Sequence, residues 1–101
     1  MSAIQLPTDF FERSAIRELI YDQGYHGLNY LLKIYFSIAR ERTYEIHEKA
    51  ALSIANDAGV GNDAARKMLE VFYSKKLLRL CNGDISANIQ LVGDSIRVVL
   101  P

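Results

Sequence analysis

Between residues 25 and 41 the polar side chains Asn29, Lys33, Ser37 and Arg40 recur at spacings of four, four and three. At 3.6 residues per turn these positions fall on one narrow stripe of a helix, and almost everything else in the segment is Leu, Ile, Tyr, Phe or Ala. A helix with so thin a polar face has to be enclosed on most sides. The rest of a 101-residue chain must therefore wrap around it. Lys33 interrupts the apolar run LNYLLKIYFSIA, which is too short to span a bilayer, so the chain is expected to be soluble.

The flanking patterns say what does the wrapping. A short extended start ends at Pro7, and Asp9 with Glu12 resembles a capping box, while Ser14 offers a later helix start. Ile16, Leu19 and Ile20 then repeat at helical spacing, and Gly24 is placed to end that first helix. A third helix is expected over 46–58, with Ala51, Ile54, Ala55 and Ala58 inward, and Gly59 closes it. A fourth, over 62–76, sets Ala65, Met68, Leu69 and Phe72 against Asp63, Arg66, Lys67, Glu70 and Ser74 on the other face. The period then shortens to two. Ile85, Ala87, Ile89 and Leu91 alternate with polar residues, Ile96, Val98 and Leu100 share a face, and NGD (82–84) and GDS (93–95) supply turns.

The strongest local pattern is IANDAGVGNDAARKML (54–69). Alanines let two helices cross closely, Gly59 turns the chain, Val60 plugs the turn, and a new helix begins at Gly61 or Asn62. That is the layout of a helix-turn-helix. Followed by KKLLRL and alternating strands, it predicts a mostly α chain with a small antiparallel ribbon (α+β). The expected fold is a winged helix-turn-helix of four helices and a two- or three-stranded wing, in one domain over 1–101.

In such units the second helix enters the DNA major groove. The candidate DNA-binding residues are Asn62, Asp63, Arg66, Lys67 and Ser74, with phosphate contacts from Lys75, Lys76, Arg79 and Arg97. Arg pairs bidentately with guanine and Asn with adenine. Twelve basic and twelve acidic residues cancel over the whole chain, but 66–79 holds five cations against Glu70 alone. Asp63 and Glu70 on the same face oppose phosphate, and a protein-interaction surface is the alternative reading.

Other chemistry finds little support. Cys81 excludes an internal disulfide, fits a reducing cytoplasmic compartment and reads as a small buried hydrophobe. The N-terminus lacks a signal-peptide pattern. His26 and His47 form no metal-ligand spacing with Cys81, no nucleophile–base pair stands out, and Gly59 and Gly61 lack the phosphate-loop pattern. No enzyme activity, metal or cofactor is expected. Tyr21, Tyr25, Tyr30 and Tyr35 could stack single-stranded bases, but Tyr21 and Tyr35 fall on apolar helical faces and read as core rim. The Gly24-x-x-Gly27 spacing matches the backbone clamp of KH domains, yet its filling of Tyr25 and His26 and its helical flanks point to a helix corner.

Two blocks, DFFERSAIRELIYDQGYHGLNYLLKIYFSIARERTYEI and AALSIANDAGVGNDAARKMLEVFYSKKLLRL, carry a resemblance. Over roughly residues 8–80 the chain is similar to the N-terminal winged-helix domain of phage replisome-organiser and DnaD-like replication-initiation proteins. Shared features are the Asp-Phe-Phe entry, the Tyr/Gly-x-x-Gly corner, the Tyr- and Leu-rich helix, and the helix-turn-helix leading into a Leu-rich strand, with 81–101 left as the wing hairpin. The resemblance implies attachment to double-stranded DNA, or to other replication proteins, in a phage or mobile element. Two departures stand out: Lys76 sits where such helices commonly end in Gly, and the sequence stops at Pro101 where family members continue into another domain. A small regulator or a phage-encoded inhibitor of a host complex is therefore also expected as an option. A homodimer, paired through the first helix or through an apolar terminus such as RVVL, is left open.

Overall fold

The computed structural model describes residues 3–101. Its elements run β1 (Ala3–Gln5), a 3₁₀ turn at Phe10–Glu12, α1 (Ser14–Arg40), β2 (Glu45–His47), α2 (Glu48–Asp57), α3 (Asn62–Ser74), β3 (Arg79–Cys81), β4 (Asp84–Ser86), β5 (Ile89–Val92) and β6 (Ser95–Val98). The strands form two three-stranded sheets, β2-β4-β3 and β1-β6-β5.

α1 is the enclosed helix. Tyr30, Leu31, Ile34, Tyr35 and Ile38 are buried, while Asn29 and Arg40 of the polar stripe are exposed and Lys33 and Ser37 half-buried. Both buried tyrosines solve the problem of a polar tip in an apolar core by reaching a carbonyl. The Tyr30 hydroxyl donates to the Ala51 carbonyl oxygen at 2.6 Å, and Tyr35 donates to that of Leu77 at 3.0 Å. Each bond pins α1 to a distant part of the chain. Burial pushes the Tyr30 pKa up to about 12 and that of Tyr35 higher still.

The expected four helices with a two- or three-stranded wing, and with it the winged helix-turn-helix, are overturned: the described residues form three helices and six strands in two sheets. Gly24 ends the first helical stretch of α1 as expected: its backbone is non-helical, at φ 69° and ψ −171°, a region essentially restricted to glycine, and a second helical stretch follows at once across a kink. Gly27 is the second half of this device. A Cβ there would lie 2.6 Å from the Gln23 Cβ across the bend.

Ile46 and His47, expected to open a helix, instead belong to β2, which pairs antiparallel with β4. His47 then caps α2, its Nδ1 accepting from the Lys49 N–H at 3.1 Å. The alternating run 85–91 is not one strand. It breaks at Ala87 and Asn88, and its halves join different sheets. Both tight turns follow their residues. Asn82 and Gly83 have φ of 53° and 82°, the pattern of a type I′ hairpin, and Gly93 with φ 59° opens a two-residue loop of type II′ character.

The extended start is β1, which runs parallel to β6 in the register Ala3↔Ser95 and so joins the two ends of the described chain. At the entry to α1 the Asp9 side chain makes no cap bond. It pairs with Arg13 at 3.0 Å, and α1 begins at Ser14.

Candidate nucleic-acid interface

α2 and α3 pack through alanine. Ala51, Ala55 and Ala65 are all fully buried, so the helices approach closely. The turn between them, residues 58–61, is a Schellman motif: Val60 N–H donates to the Ala55 carbonyl and Gly59 N–H to that of Asn56, with Gly59 at φ 74°. Val60 is buried beneath it.

α3 follows with strict amphipathicity. Ala65, Met68, Leu69 and Phe72 are buried, while Asn62, Asp63, Arg66, Lys67, Glu70 and Ser74 are exposed. Gly61 caps its N-terminus without a side-chain bond, leaving the first-turn N–H groups outward, with Asp63 beside them. Among the described residues, Arg66, Lys67, Lys76, Arg79 and Arg97 take part in no ion pair.

The C-terminus of α3 repeats the Schellman pattern. Leu77 N–H donates to the Phe72 carbonyl at 2.9 Å and Lys76 N–H to that of Tyr73 at 3.1 Å, with Leu77 and Phe72 both buried. Here the left-handed position is held by Lys76, at φ 60°, where Gly59 does the same work after α2.

The candidate cations are not all alike. Lys75 is committed to structure: its Nζ lies 3.1 Å from Glu18 and 3.6 Å from Asp22, tying the end of α3 to α1. A phosphate contact by Lys75 would have to compete with these two carboxylates. Ser74 is exposed but spends its hydroxyl on the Val71 carbonyl. Lys76 and Arg79 are exposed beside α3, whereas Arg97 lies on β6, in the other sheet.

Two further expectations change. Cys81 is exposed at the end of edge strand β3, so it is no buried hydrophobe. Tyr21 is 91% exposed and Tyr25 is also open, so the four tyrosines divide into two on the surface and two in the core. His26 and His47 meet no partner for metal binding; among the described residues no cluster of His, Cys, Asp or Glu could hold an ion.

Sequence reasoning missed a concave surface beside α3. Leu52 of α2, Leu69 and Tyr73 of α3 and Leu80 of β3 line a groove of about 300 Å³ together with Glu48, Arg66 and Glu70. Leu80 is 45% exposed there. The Tyr73 hydroxyl donates to the Glu48 carboxylate at 3.4 Å, and burial first, then the Glu48 charge, raise the Tyr73 pKa. Leu80 carried the signal, as the one apolar residue of β3 that the core leaves uncovered.

Comparison with protein-family models, curated proteins and solved structures finds nothing that matches the chain. Among the described residues no helix is long and apolar enough to cross a membrane.

Proposed function

We propose that the chain is a duplex-DNA-binding module that presents the outer face of α3 to the major groove, in replication initiation or its regulation in a phage or mobile element. The observation that carries this reading is the exposed Asn62, Arg66 and Lys67 at the start of a helix packed on α2, with no ion pair engaging either cation among the described residues. Arg66 and Asn62 are the groups suited to base edges. Lys67, Lys76 and Arg79 are suited to phosphates, and the open N–H groups of the first turn add partial positive charge. Asp63 and Glu70 reduce the net attraction and would favour register over raw affinity. The resemblance to replisome-organiser proteins points the same way, and a cytoplasmic location goes with it.

The test is fluorescence anisotropy on short duplexes over a salt series. With three to four phosphate contacts, log K should fall against log salt with a slope of roughly −3 to −4. Lys67→Ala should reduce that slope by about 1, and Arg66→Ala should cost about 1–3 kcal/mol on a preferred site. Absence of binding at low salt contradicts the proposal.

A second reading is favoured by the groove of Leu52, Leu69, Tyr73 and Leu80: a protein adaptor or small inhibitor that docks an apolar segment without DNA. It predicts a partner retained after nuclease treatment and lost on Leu80→Gln, which keeps the charge beside Arg66 and Arg79 unchanged. On the DNA reading, Leu80→Gln leaves duplex binding within about twofold.

A further inference from the structure

Four strands stand at sheet edges, and three of them carry features that discourage pairing with another chain. β1 runs into Pro7 two residues after its end. β2 is flanked by charge, with Glu45 at its start and Glu48 after it. β3 opens on the exposed Arg79. β5, reading Ile-Gln-Leu-Val, has no charge and no proline, and among the described residues pairs with β6 alone.

The backbone of β5 shows which groups are free. Val99 N–H donates to the Asn88 carbonyl at 2.8 Å, and the register runs Ile89↔Val98, Gln90↔Arg97, Leu91↔Ile96 and Val92↔Ser95. Antiparallel bonds alternate, so Asn88, Gln90 and Val92 face β6, while the N–H and C=O of Ile89 and Leu91 point away from it. The side chains match this opening. Ile96 is 1% exposed, yet Leu91, its partner on the same face, is 68% exposed. The sheet's apolar face continues past the core onto an uncovered edge.

We infer that β5 is a homodimerisation edge, whose occupant is the β5 of a second copy of this chain in antiparallel register about a two-fold axis at Gln90. The edge is self-complementary in each respect that pairing requires. The outward groups of Ile89 meet those of Leu91 in the second copy, and the reverse, so each free N–H finds a carbonyl. These opposed residues share a face, so Ile89 of one copy covers Leu91 of the other beside Ile96 and Val98. Gln90 meets Gln90, neutral with neutral, and no like charges oppose one another along the paired segment. The two β1-β6-β5 sheets become one continuous sheet. This inference rests on β5 and β6 alone and is independent of whether α3 binds DNA.

Sedimentation equilibrium from about 10 µM to about 1 mM, with amide exchange followed by NMR over the same series, tests it. The mass should rise with concentration from 11.4 kDa towards twice that value. Ile89 and Leu91 amides should gain protection with concentration, while Gln90 and Val92 amides are protected throughout. Gln90→Lys places two ammonium groups directly opposite, next to Arg97 of each copy, and should weaken association about fivefold or more. Mixing it with Gln90→Glu should restore the dimer. A monomer at every concentration overturns the inference. So does a dimer in which Ile89 and Leu91 stay unprotected, or one indifferent to Gln90→Lys. The exchange measurement uses the unaltered chain, so the test stands even if a variant folds poorly.

Discussion

Replacing Lys76 by glycine should stabilise the protein while weakening the duplex binding proposed for it. The two helix ends that flank α3 supply the magnitude. After α2 and after α3 the chain makes the same pair of Schellman bonds, with Gly59 at φ 74° and Lys76 at φ 60° in the left-handed position. A side chain in that region costs about 1–2 kcal/mol through contact of its Cβ with the following carbonyl. Glycine relieves this but loses more backbone freedom on folding, roughly 0.5–1 kcal/mol. Lys76→Gly should therefore gain about 0.5–1 kcal/mol, a rise in Tm of about 4 °C for a domain of this size. Lys76→Ala removes the same charge and keeps the strained φ, so the difference between the two variants isolates the backbone contribution. The converse holds at Gly59. An added Cβ there meets nothing within 4 Å, so any loss in Gly59→Ala, about 1 kcal/mol, comes from φ and not from a clash. Thermal unfolding followed by circular dichroism at constant ionic strength reads all three variants. If Lys76→Gly is no more stable than Lys76→Ala, the Schellman account of the α3 terminus is wrong. Both Lys76 variants should also lower the salt slope of duplex binding by about 1, which separates stability from affinity in a single residue.

Lys75 and Lys76 are adjacent and should behave oppositely. Lys75→Ala loses the contacts to Glu18 and Asp22, whose side chains are about half exposed or more, so it should cost about 1 kcal/mol or less and leave duplex affinity unchanged in anisotropy titrations. Gly27→Ala should destabilise by about 1–3 kcal/mol in urea unfolding, because the new methyl overlaps Gln23 at the bend of α1. The tyrosines set an alkaline limit. Tyr30, Tyr35 and Tyr73 all have folded pKa values raised above the usual 10.0, that of Tyr30 to about 12. Their neutral forms are the ones the fold accommodates, so their contribution is intact below about pH 10 and is lost as pH climbs through the folded values. Urea midpoints should fall steeply above pH 10, less so for Tyr30→Phe.

How far these features were legible in the residues depended on the range of the interaction behind each. Helical periodicity is local, and it placed the buried and exposed faces of α3 and the enclosed stretch of α1 residue by residue. Turn chemistry at Asn82–Gly83 and Gly93 is equally local. Gly24 was legible as the break between two helical stretches, because glycine tolerates the positive φ that the break requires, whereas the close fit of Gly27 against Gln23 across it depends on packing. The extended start before Pro7 was legible, but its pairing was not, since the partner of β1, β6, lies some ninety residues away. The break at Ala87 and Asn88 was hidden for a related reason: alternation continues through it while the sheet changes. At the candidate site, charge and spacing singled out Asn62, Arg66 and Lys67 as candidates on an exposed face, but the capture of Lys75 by α1 and the groove beside Tyr73 arise only from tertiary packing. Cys81 read as buried because its neighbours are apolar, whereas an edge strand at the periphery of its sheet leaves it open.

The central claim is that the outer face of α3 meets duplex DNA, and amide chemical shifts recorded during titration with a short duplex test it most directly. The account predicts perturbations concentrated at Asn62, Asp63, Arg66 and Lys67, extending to Lys76 and Arg79 and fading as salt is raised. Shifts that are absent at low salt, or that gather around Leu52, Tyr73 and Leu80 and leave the start of α3 unmoved, would contradict it.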